Sequence, residues 1–130
     1  MPESAIDKYL RLIVERRIAD AEKEIEDLRP KIENTEWNRG YIKALEGLLM
    51  TRKANNDDYL FFAKKEFDSR SLKALAKDFA QNASSPLYGD YDRGYFSVLS
   101  RLVRIMEEAG AYSLSNSKWS QTAQAKAVAQ

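Results

Sequence analysis

The sequence contains neither cysteine nor histidine. The absence of cysteine excludes a disulfide framework and a thiolate metal site. The absence of histidine removes the commonest general base, the commonest metal ligand and the usual pH-sensitive side chain. No metal-ligand spacing, glycine-rich phosphate loop or nucleophile motif is present either. We therefore expect a protein that is not an enzyme and that uses no cofactor or metal.

Charge of one sign and long apolar runs are also scarce. The net charge is +1, whereas a domain that holds nucleic acid through phosphate contacts usually carries a basic excess. No segment approaches the roughly 18 apolar residues that cross a bilayer. The start of the chain, Met1 to Ser4, leads into a charged segment and not into a signal peptide. We expect a soluble, cytoplasmic protein that makes no contact with a membrane.

The residues that are present predict an all-α domain over residues 1–110. The first predicted helix begins near Ser4 and carries apolar residues at steps of three and four, namely Val14, Ile18, Ala21, Ile25, Leu28 and Ile32. Pro30 kinks or ends it. Three further helices are predicted to begin near Asn34–Thr35, at Asp68 or Ser69, and near Asp90. Residues 57–66 are interpreted as a buried connector with one helical turn.

A shift of 54 residues lays the sequence on itself without a gap. Trp37, Arg39, Gly40 and Tyr41 then fall on Tyr91, Arg93, Gly94 and Tyr95, and the apolar stripes stay in register. Residues 12–52 and 66–106 are therefore predicted to be two copies of one helix-turn-helix hairpin. Because neither hairpin buries its apolar face alone, we expect them to pack as a four-helix bundle about a pseudo-twofold axis.

Three glycines are predicted to pack helices. A glycine inside a helix costs about 1 kcal/mol relative to alanine, so its presence calls for a reason. On a helical wheel, Gly40 and Gly47 share a narrow strip of small residues beside the apolar face, and Gly94 holds the equivalent place in the second copy. The favoured interpretation is close approach of another helix, and the alternative is a backbone groove for a ligand.

The repeated arginines, Arg39 and Arg93, are the candidate interaction residues of the two copies. Glu36 and Asp90 each precede one of them by three residues, which predicts first-turn salt bridges. The alternative is a symmetric pair of arginines that binds an anion or an acidic partner.

A second candidate surface lies at the start of the first predicted helix. Ile6, Leu10 and Ile13 form an apolar ridge that has no counterpart in the second copy. Leaving each large side chain in water would forgo roughly 1.5–3 kcal/mol, so we expect the ridge to be covered in a homodimer. The alternative cover is the polar tail, residues 111–130, which contains Trp119 and is predicted to form at most a short docking helix.

The segment from Glu36 to Leu49, EWNRGYIKALEGLL, resembles a segment of small helical proteins of unknown function from archaea. The second Arg-Gly-Tyr, at Arg93 to Tyr95, is similar to the C-terminal half of those proteins, so the resemblance covers roughly residues 5–108. It implies a helical fold and no particular activity.

The leading hypothesis is a non-catalytic interaction or scaffold protein that self-associates and binds an unknown protein partner. Two alternatives remain open. One is a nucleic-acid-associated protein that uses Arg39, Arg93 and neighbouring basic residues. The other is a binder of a small ligand in a pocket between the hairpins.

Overall fold

The computed structural model describes residues 3–53 and 68–110. All regular structure in these residues is helical, which confirms the predicted all-α class. The five α-helices are α1 (Glu3–Val14), α2 (Ile18–Leu28), α3 (Glu36–Lys53), α4 (Ser69–Ser84) and α5 (Asp90–Ala109). The predicted connector at 57–66 and the predicted tail at 111–130 lie outside the described residues.

The first predicted helix is in fact two helices. Its continuous stripe is interrupted at Arg16, which has a left-handed backbone conformation with φ of 59°, and the N–H of Arg17 closes α1 by donating to the carbonyl of Leu12 at 2.9 Å. The prediction of one helix from Ser4 to Arg29 is therefore wrong. Neither glycine nor proline marks the break, and a non-glycine residue in this conformation costs roughly 1–2 kcal/mol. The turn lets α1 and α2 bury their apolar faces in the same core.

The other helix ends follow local sequence signals. Pro30 lies in a 3-10 turn, Arg29–Lys31, directly after α2. The hydroxyl of Thr35 accepts from the N–H of Asn38 at 3.1 Å, and the carboxylate of Asp68 accepts from the N–H of Ser71 at 2.7 Å. Gly110 ends α5 in the left-handed conformation, with φ of 69°. These caps satisfy backbone groups that have no partner within the helix.

One hydrophobic core joins the five helices, and α5 lies at its centre. Helix α5 packs extensively against both α3 and α4 and also touches α1. By contrast, α2 meets α3 over a much shorter stretch than α4 meets α5. The two predicted hairpins therefore do not contribute equally to the core, and α1 fills space beside α2, α3 and α5.

Arg52, on α3, caps the C-terminal end of α1 through hydrogen bonds. Its side chain is fully buried. The Nε atom donates to the carbonyl of Ile13 at 3.1 Å, and Nη2 donates to the carbonyl of Val14 at 3.3 Å. The last carbonyls of a helix have no hydrogen-bond partner within it. The guanidinium of Arg52 supplies that partner, and its positive charge interacts favourably with the negative end of the helix dipole.

Replacing Arg52 by Met should destabilise the protein by about 2–5 kcal/mol, because hydrogen bonds from a charged group are lost and buried carbonyls remain. Equilibrium urea unfolding measures this. The control is Lys53→Met, since Lys53 is an exposed neighbour whose ion pair with Glu22 lies at the surface. It should change stability much less, because exposed ion pairs contribute little to the free energy of unfolding. Equal stability of the two variants would contradict the capping role of Arg52.

The buried hydroxyl of Tyr9 predicts that the protein loses stability at alkaline pH. The buried hydroxyl donates to the carbonyl of Leu45 at 2.5 Å, and burial, followed by the charge of Glu46, raises the Tyr9 pKa well above its ordinary value of 10.0. Below pH 10 the phenol is neutral in both states and its contribution is complete. Above pH 10 the unfolded phenol loses its proton first, so stability falls. The unfolding free energy of Tyr9→Phe should fall less steeply than that of the wild type between pH 9 and 11; identical slopes would contradict this.

Candidate functional site

The backbones of α3 and α5 touch where Gly40 and Gly94 meet. A Cβ atom on Gly40 would lie 1.8 Å from the carbonyl oxygen of Tyr91, and one on Gly94 would lie 2.0 Å from that of Trp37. No side chain fits at either position. The two contacts are reciprocal in sequence, because Tyr91 and Gly94 follow Trp37 and Gly40 by the same 54 residues. Both glycines thus lie at a helix–helix contact.

Gly47 does not belong to this contact. Within residues 3–53 and 68–110, and apart from the backbone of its own helix and its two chain neighbours, no heavy atom lies within 4 Å of a Cβ built on Gly47. The described helices therefore give no support to its assignment as a helix-packing residue. The helical wheel placed it on the same strip as Gly40, but two helices that cross at an angle keep their backbones close only near the crossing point.

The two repeated arginines form the predicted first-turn salt bridges. Arg39 Nη1 lies 2.6 Å from Glu36 Oε1, and its Nε donates to Asn34 Oδ1 at 2.8 Å. Arg93 pairs with Asp90, although its buried Nε has no hydrogen-bond partner among the described residues. Local carboxylates therefore already engage both guanidinium groups, which favours the structural interpretation of these arginines over an anion site.

The predicted interaction ridge on α1 is part of the core. Ile6, Leu10 and Ile13 are all fully buried in the single chain, so their interpretation as a dimer surface is wrong. The physical reason is the turn at Arg16, which returns the chain and brings α1 against α2, α3 and α5. The sequence pattern correctly showed that the ridge is covered, but it did not identify what covers it.

An exposed apolar cluster lies instead at the turn between α4 and α5. Leu87 is 91% exposed, and Tyr88 and Tyr91 are each more than a third exposed. The ring of Tyr88 meets that of Phe96 edge-on at 5.0 Å. Sequence reasoning missed this cluster; its signal was a leucine and a tyrosine directly after Pro86, in a turn where polar residues are usual.

A cavity of about 580 Å³ opens between α4 and α5. The side of α4 that lines it carries two rows at four-residue spacing: Leu72, Ala76, Ala80 and Ser84 in one, and Lys73, Lys77 and Gln81 in the other. Arg104 and Glu107 line it from α5. Leu72 and Ala76 are buried, so the floor is apolar and the edge is polar.

A second cavity, of about 650 Å³, adjoins the first and shares Ala80, Ser84 and Arg104 with it. Two ion pairs between α1 and α5 border it, Arg101 Nε with Asp7 Oδ1 at 2.9 Å and Arg11 with Glu108 at 3.3 Å. The stacked rings of Trp37 and Tyr41 form another wall. We call the two cavities together the α4–α5 groove.

The free cations of the α4–α5 groove lie in its first cavity. Glu107 accepts a hydrogen bond from Ser69 at 2.8 Å and lies 3.6 Å from Lys73 Nζ. Among the described residues, Lys77 and Arg104 have no ion-pair partner. The edge of the groove therefore carries more positive than negative charge.

The described residues hold no group of three or more acidic side chains arranged to bind a metal ion. None of the described helices is long and apolar enough to span a membrane.

No protein-family model, curated protein or solved structure matches this chain. The resemblance to small archaeal helical proteins therefore stays a prediction, and functional inference depends on the surfaces above.

The structure predicts that replacement of glycine by alanine lowers stability at positions 40 and 94 and raises it at position 47. Gly40→Ala and Gly94→Ala should each destabilise the protein by about 1–3 kcal/mol or more, because the new methyl group overlaps a carbonyl oxygen of the facing helix. Gly47→Ala is the control, and it should stabilise by up to about 1 kcal/mol through helix propensity. Thermal unfolding compares the three variants. A Gly40 or Gly94 variant as stable as the wild type would show that the backbones do not touch.

Proposed function

We propose that this protein is a non-catalytic interaction protein that binds a protein partner in the α4–α5 groove. The observation that carries the proposal is the α4–α5 groove itself, which has an apolar floor and a charged edge. The two rows on α4 also match the way in which a helical surface receives another helix.

The chemistry of the groove supports binding and not catalysis. Its carboxylates, Asp7, Glu107 and Glu108, each lie beside a cationic side chain. Burial alone would lower the pKa of Arg101, but the hydrogen bond to Asp7 and the contact with Tyr41 outweigh burial, so the pKa is raised. A carboxylate held in such an ion pair is poorly placed to exchange a proton with a substrate as a general acid or base.

We also propose that the chain arose by duplication of one helical hairpin. The reciprocal contacts of Gly40 with Tyr91 and of Gly94 with Trp37 support a local twofold relation between α3 and α5. The unequal packing of α2 on α3 and of α4 on α5 indicates that the two copies have diverged away from this crossing. A tandem-hairpin bundle is thus the finer description that we propose for the all-helical fold.

Self-association, a cytoplasmic location and an archaeal relationship remain predictions. With the α1 ridge in the core, the exposed cluster of Leu87, Tyr88 and Tyr91 is the described surface that best supports a homodimer. Binding of nucleic acid through Arg39 and Arg93 has less support, because both arginines already have carboxylate partners.

Site-directed crosslinking tests the proposed function. The chain has no cysteine, so one introduced cysteine carries a single benzophenone label. Gln81→Cys places it at the groove, and Lys23→Cys, at an exposed position on α2, is the matched control. In lysate of the native host, the groove label should yield a discrete crosslinked protein that excess unlabelled wild-type protein competes away. Equal labelling from both positions, or none from the groove, would contradict the proposal.

A further inference from the structure

We propose that the partner held in the α4–α5 groove is an acidic amphipathic helix. This inference rests on the proposed function and adds the chemical class of the partner. It depends on the shape of the groove, on the charges along its edge and on the kind of floor between them.

The shape fits a helix of about three turns. Leu72 and Ser84, at the ends of the first row on α4, are 12 residues apart, which corresponds to about 18 Å along a helix axis. Ala80, which lies between them, is small and only partly buried, so a second helix can approach α4 closely at that point. A helix with apolar residues three and four positions apart presents the complementary ridge.

The charges select an acidic partner. Among the described residues that line the first cavity, Lys73, Lys77 and Arg104 are cationic and Glu107 is the one carboxylate. Lys77 lies on α4 and Arg104 on α5, so carboxylates on both flanks of a helix docked between them would meet a cation. Lysine residues in the same places would be repelled, since complementary charge across an interface discriminates between partners.

The floor argues against a nucleic acid in the same place. Leu72 and Ala76 offer no hydrogen-bonding side chain, and none of the described residues that line the first cavity is aromatic, whereas bases in single strands bind by stacking on aromatic rings. The floor of the first cavity therefore favours an apolar helix face that carries carboxylates over a nucleic acid.

Fluorescence anisotropy with designed peptides tests this inference on the full chain. The probe is a labelled helical peptide of about 14 residues, with leucines at positions i, i+4 and i+7 and glutamates on both flanks. One matched peptide replaces each glutamate by lysine, and another replaces each leucine by serine. The acidic amphipathic peptide should bind at least about tenfold more tightly than either control.

Charge reversal in the protein should invert this preference. In the double variant Lys77→Glu/Arg104→Glu, the lysine peptide should become the tighter ligand. The matched control Lys23→Glu/Lys43→Glu changes the net charge equally at exposed positions outside the groove and should retain the preference for the acidic peptide. Circular dichroism checks that both double variants remain folded, and Lys77→Gln replaces the first if it unfolds, with reduced affinity for the acidic peptide as its expected result.

Several outcomes would overturn the inference. These are equal binding of the acidic and basic peptides, no binding of either, or an unchanged preference after charge reversal. Three further probes are labelled single-stranded RNA, a peptide with the sequence of residues 111–130, and a second copy of the chain. If one of them binds more tightly than the acidic peptide, and the same double variant loses that binding, the groove holds that occupant instead. If the Gln81 label still captures a protein while the acidic preference is absent, the groove function stands and only the partner class is wrong.

Discussion

The direct contact between the backbones of α3 and α5 constrains every other helix of this protein. At Gly40 and Gly94 each helix comes so close to a carbonyl oxygen of the other that no Cβ atom fits. A pair of helices held at this distance leaves little room for side chains at the crossing, so the large apolar residues lie on either side of it. Helix α2 then packs on the α3 side, α1 touches both α3 and α5, and α4 packs along α5. The α4–α5 groove results from this arrangement, because α4 packs along α5 outside the α3–α5 pair.

A second constraint fixes α1. The chain turns at Arg16 in a conformation that a residue with a side chain adopts only at a cost, and the buried guanidinium of Arg52 holds the carbonyls at the end of α1. The apolar ridge of α1 can then enter the core. Ion pairs from α1 to α5, such as Arg101 with Asp7, also define one border of the groove. The placement of α1 therefore connects the stability of the fold to the shape of the proposed binding surface.

Much of this fold is predictable from the sequence, because many of its signals are local. The helix class follows from three- and four-residue spacing, and the ends of α3, α4 and α5 follow from Thr35, Asp68 and Gly110. The salt bridges of Arg39 and Arg93 also follow from spacing. The break at Arg16 was not predictable, since no glycine or proline marks it and tertiary contacts compensate for its cost. The unsupported assignment of Gly47 and the failure at the α1 ridge have one cause: a helical wheel shows which residues share a face but not which helix meets that face.

The arrangement around the α3–α5 crossing is tested most directly by native-state hydrogen exchange. If this contact holds the helices together, the amides of Tyr41 to Leu48 and of Tyr95 to Leu102 should exchange only through global unfolding. Their opening free energies should then equal the free energy of unfolding measured with denaturant. Amides of α3 that exchange through a separate local opening, while α4 and α5 stay protected as an independent unit, would contradict the central role of the Gly40 and Gly94 contact.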